Sequence, residues 1–482
     1  MKKIILKINK TYSIEDVCLI AKNKAKVIVE NDVLQKVKEN FDAVKNLEKR
    51  TSIYGLTTGV GDLSQQRTTV PTDVYQRNIL LSHSVGVGEN LSKEISRAIM
   101  FSRLITLSNG MSGVSTELLI YIQECLNNET IPSVASLGSI GASDLTILAA
   151  IFVDYPNTLQ TREGLALING NSAAIGISSI VINELQQFLE NALISSALSL
   201  QARGSTSSAF NPANQQVKSF RGQKVIAKQL QKQLEGSDQI VSSYKNGKNI
   251  FLQDPPSFKT IAQVLGNAYD VLENTRKIVN TEINSVTDNP LLLIEKNSIT
   301  PISSGNYLCM QLATALDTLS LVISQVAQSS VARMKILLND KYNEHLPVYL
   351  IEDSTNNSGF MITAYSADSV LSEIKALLYP RSAFSSTVAN GWEDLSSNAC
   401  NAAQNTQKIL TLARSIITLE AALATQAISL RKKSEPTILL GPLTEKFFKR
   451  IQQVYPTLPV QNDLGVYEYL DTIKKKGNSL WK

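Results

Sequence analysis

Cysteine, histidine, tryptophan and proline are all scarce in this 482-residue chain: it has 4, 2, 2 and 14 of them. The cysteines, Cys18, Cys125, Cys309 and Cys400, lie far apart and form no Cys-x-x-Cys pair. That spacing fits buried small hydrophobes in a reducing, cytoplasmic setting better than a disulfide framework or a zinc site, and no metal is expected. Charge of one sign is lacking too. The formal excess is +5, and its lysines and arginines are scattered. No basic stripe is present for nucleic acid, and Lys474-Lys475-Lys476 reads as a solvated end. The start, Met1-Lys2-Lys3 before Ile4-Ile5-Leu6, imitates a secretory leader, but Lys7 and Lys10 interrupt the apolar run, so mature protein is expected. There is no internal repeat and no low-complexity linker.

What is present is helix. From Val33 the residues Leu34, Val37, Phe41, Val44 and Leu47 recur at helical spacing. Ser92 is placed to cap a helix through Ile95, Ile99, Leu104 and Leu107, which Gly110 would end. Three segments are unusually long, about 174–203, 306–340 and 401–431. The last is apolar nearly all round, which requires burial on most sides. Asp317, Arg333, Lys335, Gln404, Lys408, Arg414 and Glu420 interrupt these segments too often for a membrane span. The expectation is a mainly α long-helix bundle with short strands near 3–8 and 291–299. It forms a single helical unit, with a loop-rich region over about 1–200 and long and C-terminal helices over about 201–482. Helices buried all round further imply covering by other subunits.

Between the helices lie polar, glycine-rich stretches. Tyr54 sits among Gly55, Gly59 and Gly61, either as a packing residue in a turn or at a place of close backbone approach. Ser82-His83-Ser84 holds one of the two histidines, which could be structural. Asn169-Gly170 ends an apolar run and suits a helix terminus. Gln253-Asp254-Pro255-Pro256-Ser257-Phe258-Lys259 reads as a proline turn before a helix. Ser303-Ser304-Gly305-Asn306-Tyr307 reads as a cap for the second long helix. Asn390-Gly391-Trp392-Glu393-Asp394 puts two acids where a first helical turn would favour them.

Taken in order, these stretches resemble the histidine and aromatic amino acid ammonia-lyase family over essentially the whole chain. The resemblance is carried by Tyr54-Gly-x-Thr-Thr-Gly-x-Gly, Ser82-His83, Glu163-Gly-Leu-Ala-Leu-Ile-Asn169-Gly, Gln253-Asp-Pro, Thr287-Asp-Asn-Pro290, Ser358-Gly-Phe-Met-Ile362 and Glu393-Asp394. It implies the fumarase/aromatic ammonia-lyase fold and a homotetramer whose active sites combine residues of more than one subunit. The implied reaction is α,β-elimination from a small aromatic or imidazole-bearing amino acid. By the same resemblance Tyr54 is the base, so its site should favour phenolate. Glu393 joins it in catalysis. His83, Asn169, Lys259 and Tyr307 bind substrate, and Asp368 is placed at the substrate's cationic nitrogen. No external cofactor is implied, because the family closes a methylidene-imidazolone ring (MIO) from an internal Ala-Ser-Gly.

Here that motif reads Gly141-Ala142-Ser143-Asp144, with the glycine deleted. Ring closure needs the third amide nitrogen to attack the first carbonyl carbon, and a side chain at the third place narrows the backbone for it. Lys259 stands where the family has arginine and loses the bidentate fork. Pro256 replaces a tyrosine. Without the ring, the substrate must carry a leaving group that needs no activation, such as a quaternary ammonium. This pattern is similar to the ergothionase-like branch, which eliminates trimethylamine from a betaine of thiohistidine. Two other readings stay open: an ammonia-lyase or aminomutase with an atypical MIO, and a non-catalytic homologue.

Overall fold

Apolar residues recur every three to four positions through most of the chain, and helix is the result. The computed structural model describes residues 2–47, 51–240, 244–245, 248–249, 253–295 and 298–481. The three longest expected helices are Ser172–Arg203, Met310–Leu337 and Ala399–Ser434. The first is buried along most of its length, and its serines cost little there because they turn back on the preceding turn. Ser178, Ser179 and Ser196 donate to the carbonyls of Ala174, Ile175 and Ala192 at 2.6, 2.9 and 2.7 Å. A fourth long helix, Ile261–Ile283, follows the Pro256–Lys259 turn.

The chain divides into two compact units. One comprises Met1–Glu184, Asn274–Asp317 and Pro380–Thr406, and the other comprises Leu185–Glu273, Thr318–Tyr379 and Gln407–Lys482. In the first unit, strand Lys2–Leu6 pairs in parallel with Ala25–Val29 across the Ile14–Ala21 helix. That helix begins with a capping box in which Ser13 and Asp16 each satisfy the other's backbone amide. The Lys93–Leu107 helix, capped by Ser92, is buried from Ile95 to Leu107. Its Arg97 donates to Ile20 O at 2.9 Å and Leu126 O at 2.8 Å, satisfying carbonyls in the last turns of two neighbouring helices. Where one strand was expected over 291–299 there is a hairpin, Leu291–Glu295 with Ser298–Ile302. Asn40 of the Asn31–Leu47 helix grips it through Leu292 O at 2.7 Å.

The second unit has a buried ion pair at its centre. Arg333 donates to both oxygens of Glu420, at 2.5 and 2.9 Å, and Ser199 and Ser330 donate to the same carboxylate at 2.7 and 2.6 Å. A charge pair with its remaining lone pairs filled is the form in which burial is tolerated.

Two local expectations are corrected. Glu393 and Asp394 are not in a helical turn. Ala389–Gly391 is a short 3-10 turn with Asn390 at φ 54°, and the helix starts only at Ala399. Left-handed residues at 389–391 take the backbone out of helical geometry. Nor does the Ser303–Tyr307 stretch cap the second long helix, which begins at Met310. Ser304 Oγ instead accepts from Asn306 N at 3.1 Å.

Candidate active site

The first unit holds a half-open cavity of about 1140 Å³. Seven residues singled out from the sequence line it: Tyr54, His83, Ala142, Ser143, Asn169, Tyr307 and Glu393. Asp144 lies beside them, fully buried. Lys259 and Asp368 belong to the second unit and are not among the cavity's lining residues. Lys259 donates to Gln253 Oε1, and Asp368 pairs with Lys335 at 2.6 Å.

The loop carrying Tyr54 is folded on itself. Ile53 N donates to Thr57 Oγ1 at 2.7 Å, Gly59 N to Gln66 O at 2.9 Å and Thr68 N to Thr57 O at 3.1 Å. Gly55 has φ 68°, and a Cβ there would come within 2.1 Å of Leu165 Cδ2, so this position requires glycine. Gly61, at φ 59°, donates its amide to Tyr54 Oη at 2.8 Å. Burial pushes the Tyr54 phenol above its ordinary value, the Gly61 amide pulls it down, and the Glu393 carboxylate pushes it up again. Within this chain the net direction is upward, opposite to what a phenolate base requires.

His83 closes the Thr72–His83 helix. Its Nδ1 lies 2.8 Å from Ile79 O, and a carbonyl can only accept, so Nδ1 carries the proton. Burial lowers the imidazole pKa, leaving a neutral ring whose Nε2 is an acceptor.

The Gly141–Asp144 segment is held by a dense set of hydrogen bonds. Ser143, at φ 64°, donates from Oγ to Asn169 Oδ1 at 2.9 Å and accepts Gly170 N at 3.1 Å. Asn169 Nδ2 in turn donates to Asn289 O at 2.7 Å. Asp144 occupies the N-cap position of the Leu145–Phe152 helix yet makes no side-chain cap there. Its carboxylate accepts Ala174 N at 2.8 Å, in the first turn of the Ser172–Arg203 helix, and Ser139 Oγ at 2.6 Å. Its backbone amide donates to Gly170 O at 2.7 Å. Burial raises the Asp144 pKa, and these hydrogen bonds oppose that rise.

Glu393 projects from a small closed loop in which Val388 N donates to Glu393 O at 3.0 Å and Glu393 N returns to Val388 O at 3.3 Å. Burial first, and then Asp62, raise its pKa. Asp62, Arg67, Asn289, Trp392 and Asp394 also line the cavity, and none was singled out as a site residue from the sequence. Asp394 could have been found from its neighbour Glu393. Asp62 carried no signal, because its partner Asn390 is 328 residues away. Among the described lining residues, three carboxylates (Asp62, Glu393, Asp394) stand against one guanidinium (Arg67). Such a wall suits a ligand with a positive charge.

The chain matches the family described as aromatic amino acid lyase over residues 12–154 and 155–453. It is 32% identical over 480 residues to a histidine ammonia-lyase of Treponema denticola, covering 94% of this chain and 93% of that protein. It is 33% identical over 468 residues to a probable histidine ammonia-lyase of Thermoplasma acidophilum, covering 91% and 92%. A solved structure of ergothionase, an ergothioneine-degrading enzyme from Treponema denticola, is similar with a TM-score of 0.90 at 26% identity, over 99% of both chains.

Proposed function

This chain belongs to the aromatic amino acid lyase family and is a carbon–nitrogen lyase, and from that premise we propose that it eliminates trimethylamine from a histidine-derived betaine without an MIO ring. One observation carries the reading: the Asp144 amide donates to Gly170 O at 2.7 Å. In the family's ring-forming motif the third residue's amide nitrogen must be free to attack the first residue's carbonyl. Turning Asp144 toward Ala142 would break that bond together with those to Ser139 and Ala174. It would strand a buried carboxylate and strip a helix N-terminus of its acceptor. The residues present do not fit the ring.

Without an electrophile to carry it, an amino group is a poor leaving group, whereas a quaternary ammonium departs as a neutral amine. The carboxylates at the cavity wall support a cationic substrate. Such a cation also supplies what Tyr54 lacks, since a positive charge beside a phenol lowers its pKa. Tyr54 takes the β-proton, the C–H pair becomes the Cα=Cβ bond, and the Cα–N pair leaves with trimethylamine. The products are an arylacrylate, the amine and a proton released later to water.

In this reading His83 Nε2 accepts a ring N–H. Glu393 shares a proton with the ring and draws charge into it as the β-proton leaves. Asn169 and Tyr307 line the substrate's berth. Lys259 and Asp368 lie outside the cavity of their own chain, so it is another subunit's Lys259 that is assigned to the carboxylate and another subunit's Asp368 to the cationic nitrogen. A homotetramer, with sites shared between subunits, is part of the same proposal.

Two histidine ammonia-lyase relatives favour a second reading, an ammonia-lyase or aminomutase acting through an atypical ring. Incubation with ergothioneine and, separately, with histidine decides between them. Trimethylamine release and an intact mass equal to the encoded one support the first. Ammonia release with a mass short by two waters supports the second.

A further inference from the structure

The loop bearing Tyr54 and the turn bearing Glu393 are joined by one side-chain pair. Asn390 Nδ2 donates to Asp62 Oδ2 at 2.9 Å. Asp62 directly follows Gly61, whose amide binds Tyr54 Oη, so the pair lies one residue from the phenol's own hydrogen-bond partner. At its other end Asn390 sits inside the loop closed by the Val388–Glu393 bridge. Glu393 Oε1 and Ala389 Cβ are then 3.8 and 3.9 Å from where a Cβ on Gly61 would stand, so the turn rests directly on the Tyr54 loop.

The turn carries backbone strain. Ala389 and Asn390 have φ of 49° and 54°, consecutive left-handed residues where only the asparagine is well suited. Such backbone persists when surrounding contacts over-determine it, and it concentrates at functional sites. The described contacts that fix it are the bridge, the bonds from Gly391 N to Val388 O at 3.1 Å and from Trp392 N to Ala389 O at 3.0 Å, and, from outside the turn, the bond to Asp62.

We propose that Asp62 is a positioning residue: through Asn390 it latches the turn that carries Glu393 onto the loop that carries Tyr54. The proposal rests on the reading of this cavity as the elimination site. The acid and the base then keep a fixed spacing although 339 positions (393 − 54) separate them in sequence. The latch also has an electrical effect. The titratable groups sharing the cavity with Glu393 are Tyr54, Asp62, Arg67, His83, Tyr307 and Asp394. Of these, Asp62 holds the Glu393 carboxyl toward its protonated form.

Contact and charge are separable by mutation. Asp62→Asn keeps an acceptor for Asn390 and removes the charge. Asn390→Ala keeps the charge and removes the contact. For Asp62→Asn, the limb of the pH–rate profile belonging to Glu393 moves down by about half a unit or more, and KM for a cationic substrate rises about threefold or more as the cavity wall loses a charge. For Asn390→Ala, kcat/KM falls about tenfold with less movement of that limb.

A second measurement needs no turnover. The chain has two tryptophans, so Trp481→Phe leaves Trp392, beside Glu393, as the sole indole. Its fluorescence is expected to titrate with Glu393, and Glu393→Gln to abolish that transition. Asp62→Asn should shift the transition down, and Asn390→Ala should change the emission of Trp392 across the whole pH range. An unmoved transition in Asp62→Asn, or unchanged emission in Asn390→Ala, overturns the latch. If the fluorescence responses appear but neither ergothioneine nor histidine is turned over, the latch stands and the functional reading falls.

Discussion

Ser143 Oγ donates to Asn169 Oδ1 at 2.9 Å while accepting the Gly170 amide at 3.1 Å, so this buried hydroxyl is engaged in both roles. In a ring-forming lyase the same oxygen is lost as water. Here it acts as a brace between the Gly141–Asp144 segment and the end of the Glu163–Ile168 helix. Ser143→Ala should therefore lower stability by about 1 kcal/mol, by urea unfolding, and leave kcat within about threefold. Abolished turnover in a folded variant would mean that the serine is consumed in building an electrophile.

Tyr54→Phe removes an oxygen whose described partner is the Gly61 amide. Loss of a general base lowers kcat by about 10²- to 10⁴-fold. Circular dichroism and substrate binding should stay close to wild type, since the ring itself remains. Near-normal turnover in this variant would take Tyr54 out of its assigned role.

The pH dependence follows from the direction of the Tyr54 shift. A base acts deprotonated, so activity rises with pH through its pKa, and burial places that pKa above the ordinary phenol value in the free enzyme. The limb of kcat/KM, which reports free enzyme, should still be rising at alkaline pH. A cationic substrate lowers the phenol's pKa, so the limb of kcat should lie at lower pH. Coincident limbs, measured with ergothioneine across a full pH series, would show that the substrate's charge does not act on Tyr54.

Stability of the second unit depends on the Arg333–Glu420 pair. Glu420→Ala leaves a buried guanidinium without its carboxylate, and strips Ser199 and Ser330 of their acceptor. The expected loss is about 3–5 kcal/mol, seen as a lowered denaturant midpoint. Replacing both Arg333 and Glu420 with apolar residues of similar volume should recover much of it. A single variant as stable as wild type would contradict the pair's place at the centre of this unit.

Much of the scaffold is legible in the sequence because burial on all sides leaves an unmistakable composition. The Ser172–Arg203 and Ala399–Ser434 helices are the plainest cases, and Ser92 marks its helix start through simple cap chemistry. The hairpin over 291–302 was half legible. Its two strands alternate too weakly to show the reversal between them, and 296–297 lie outside the described residues. At the site, Tyr54, His83, Ala142, Ser143, Asn169, Tyr307 and Glu393 line one cavity, whereas Lys259 and Asp368, from the same span of sequence, lie outside it. Asp62 and Asn390 do not announce themselves, because a single hydrogen bond across 328 positions leaves no period or spacing to read. The Glu393 turn misleads for a related reason. Its acids suit a helix start, but the left-handed Asn390 before them is set by a distant partner.

Asp144 is moored on three sides, by Gly170 O, Ala174 N and Ser139 Oγ. The short path from Ser139 to Asp144 therefore has fixed ends, and its length is rationed. A residue added after Ser143 could not push the helix behind it. It would bulge where Ala142 and Ser143 already border the cavity. An insertion at this turn would thus narrow the cavity, so the length of the loop and the size of the substrate it admits are tied together.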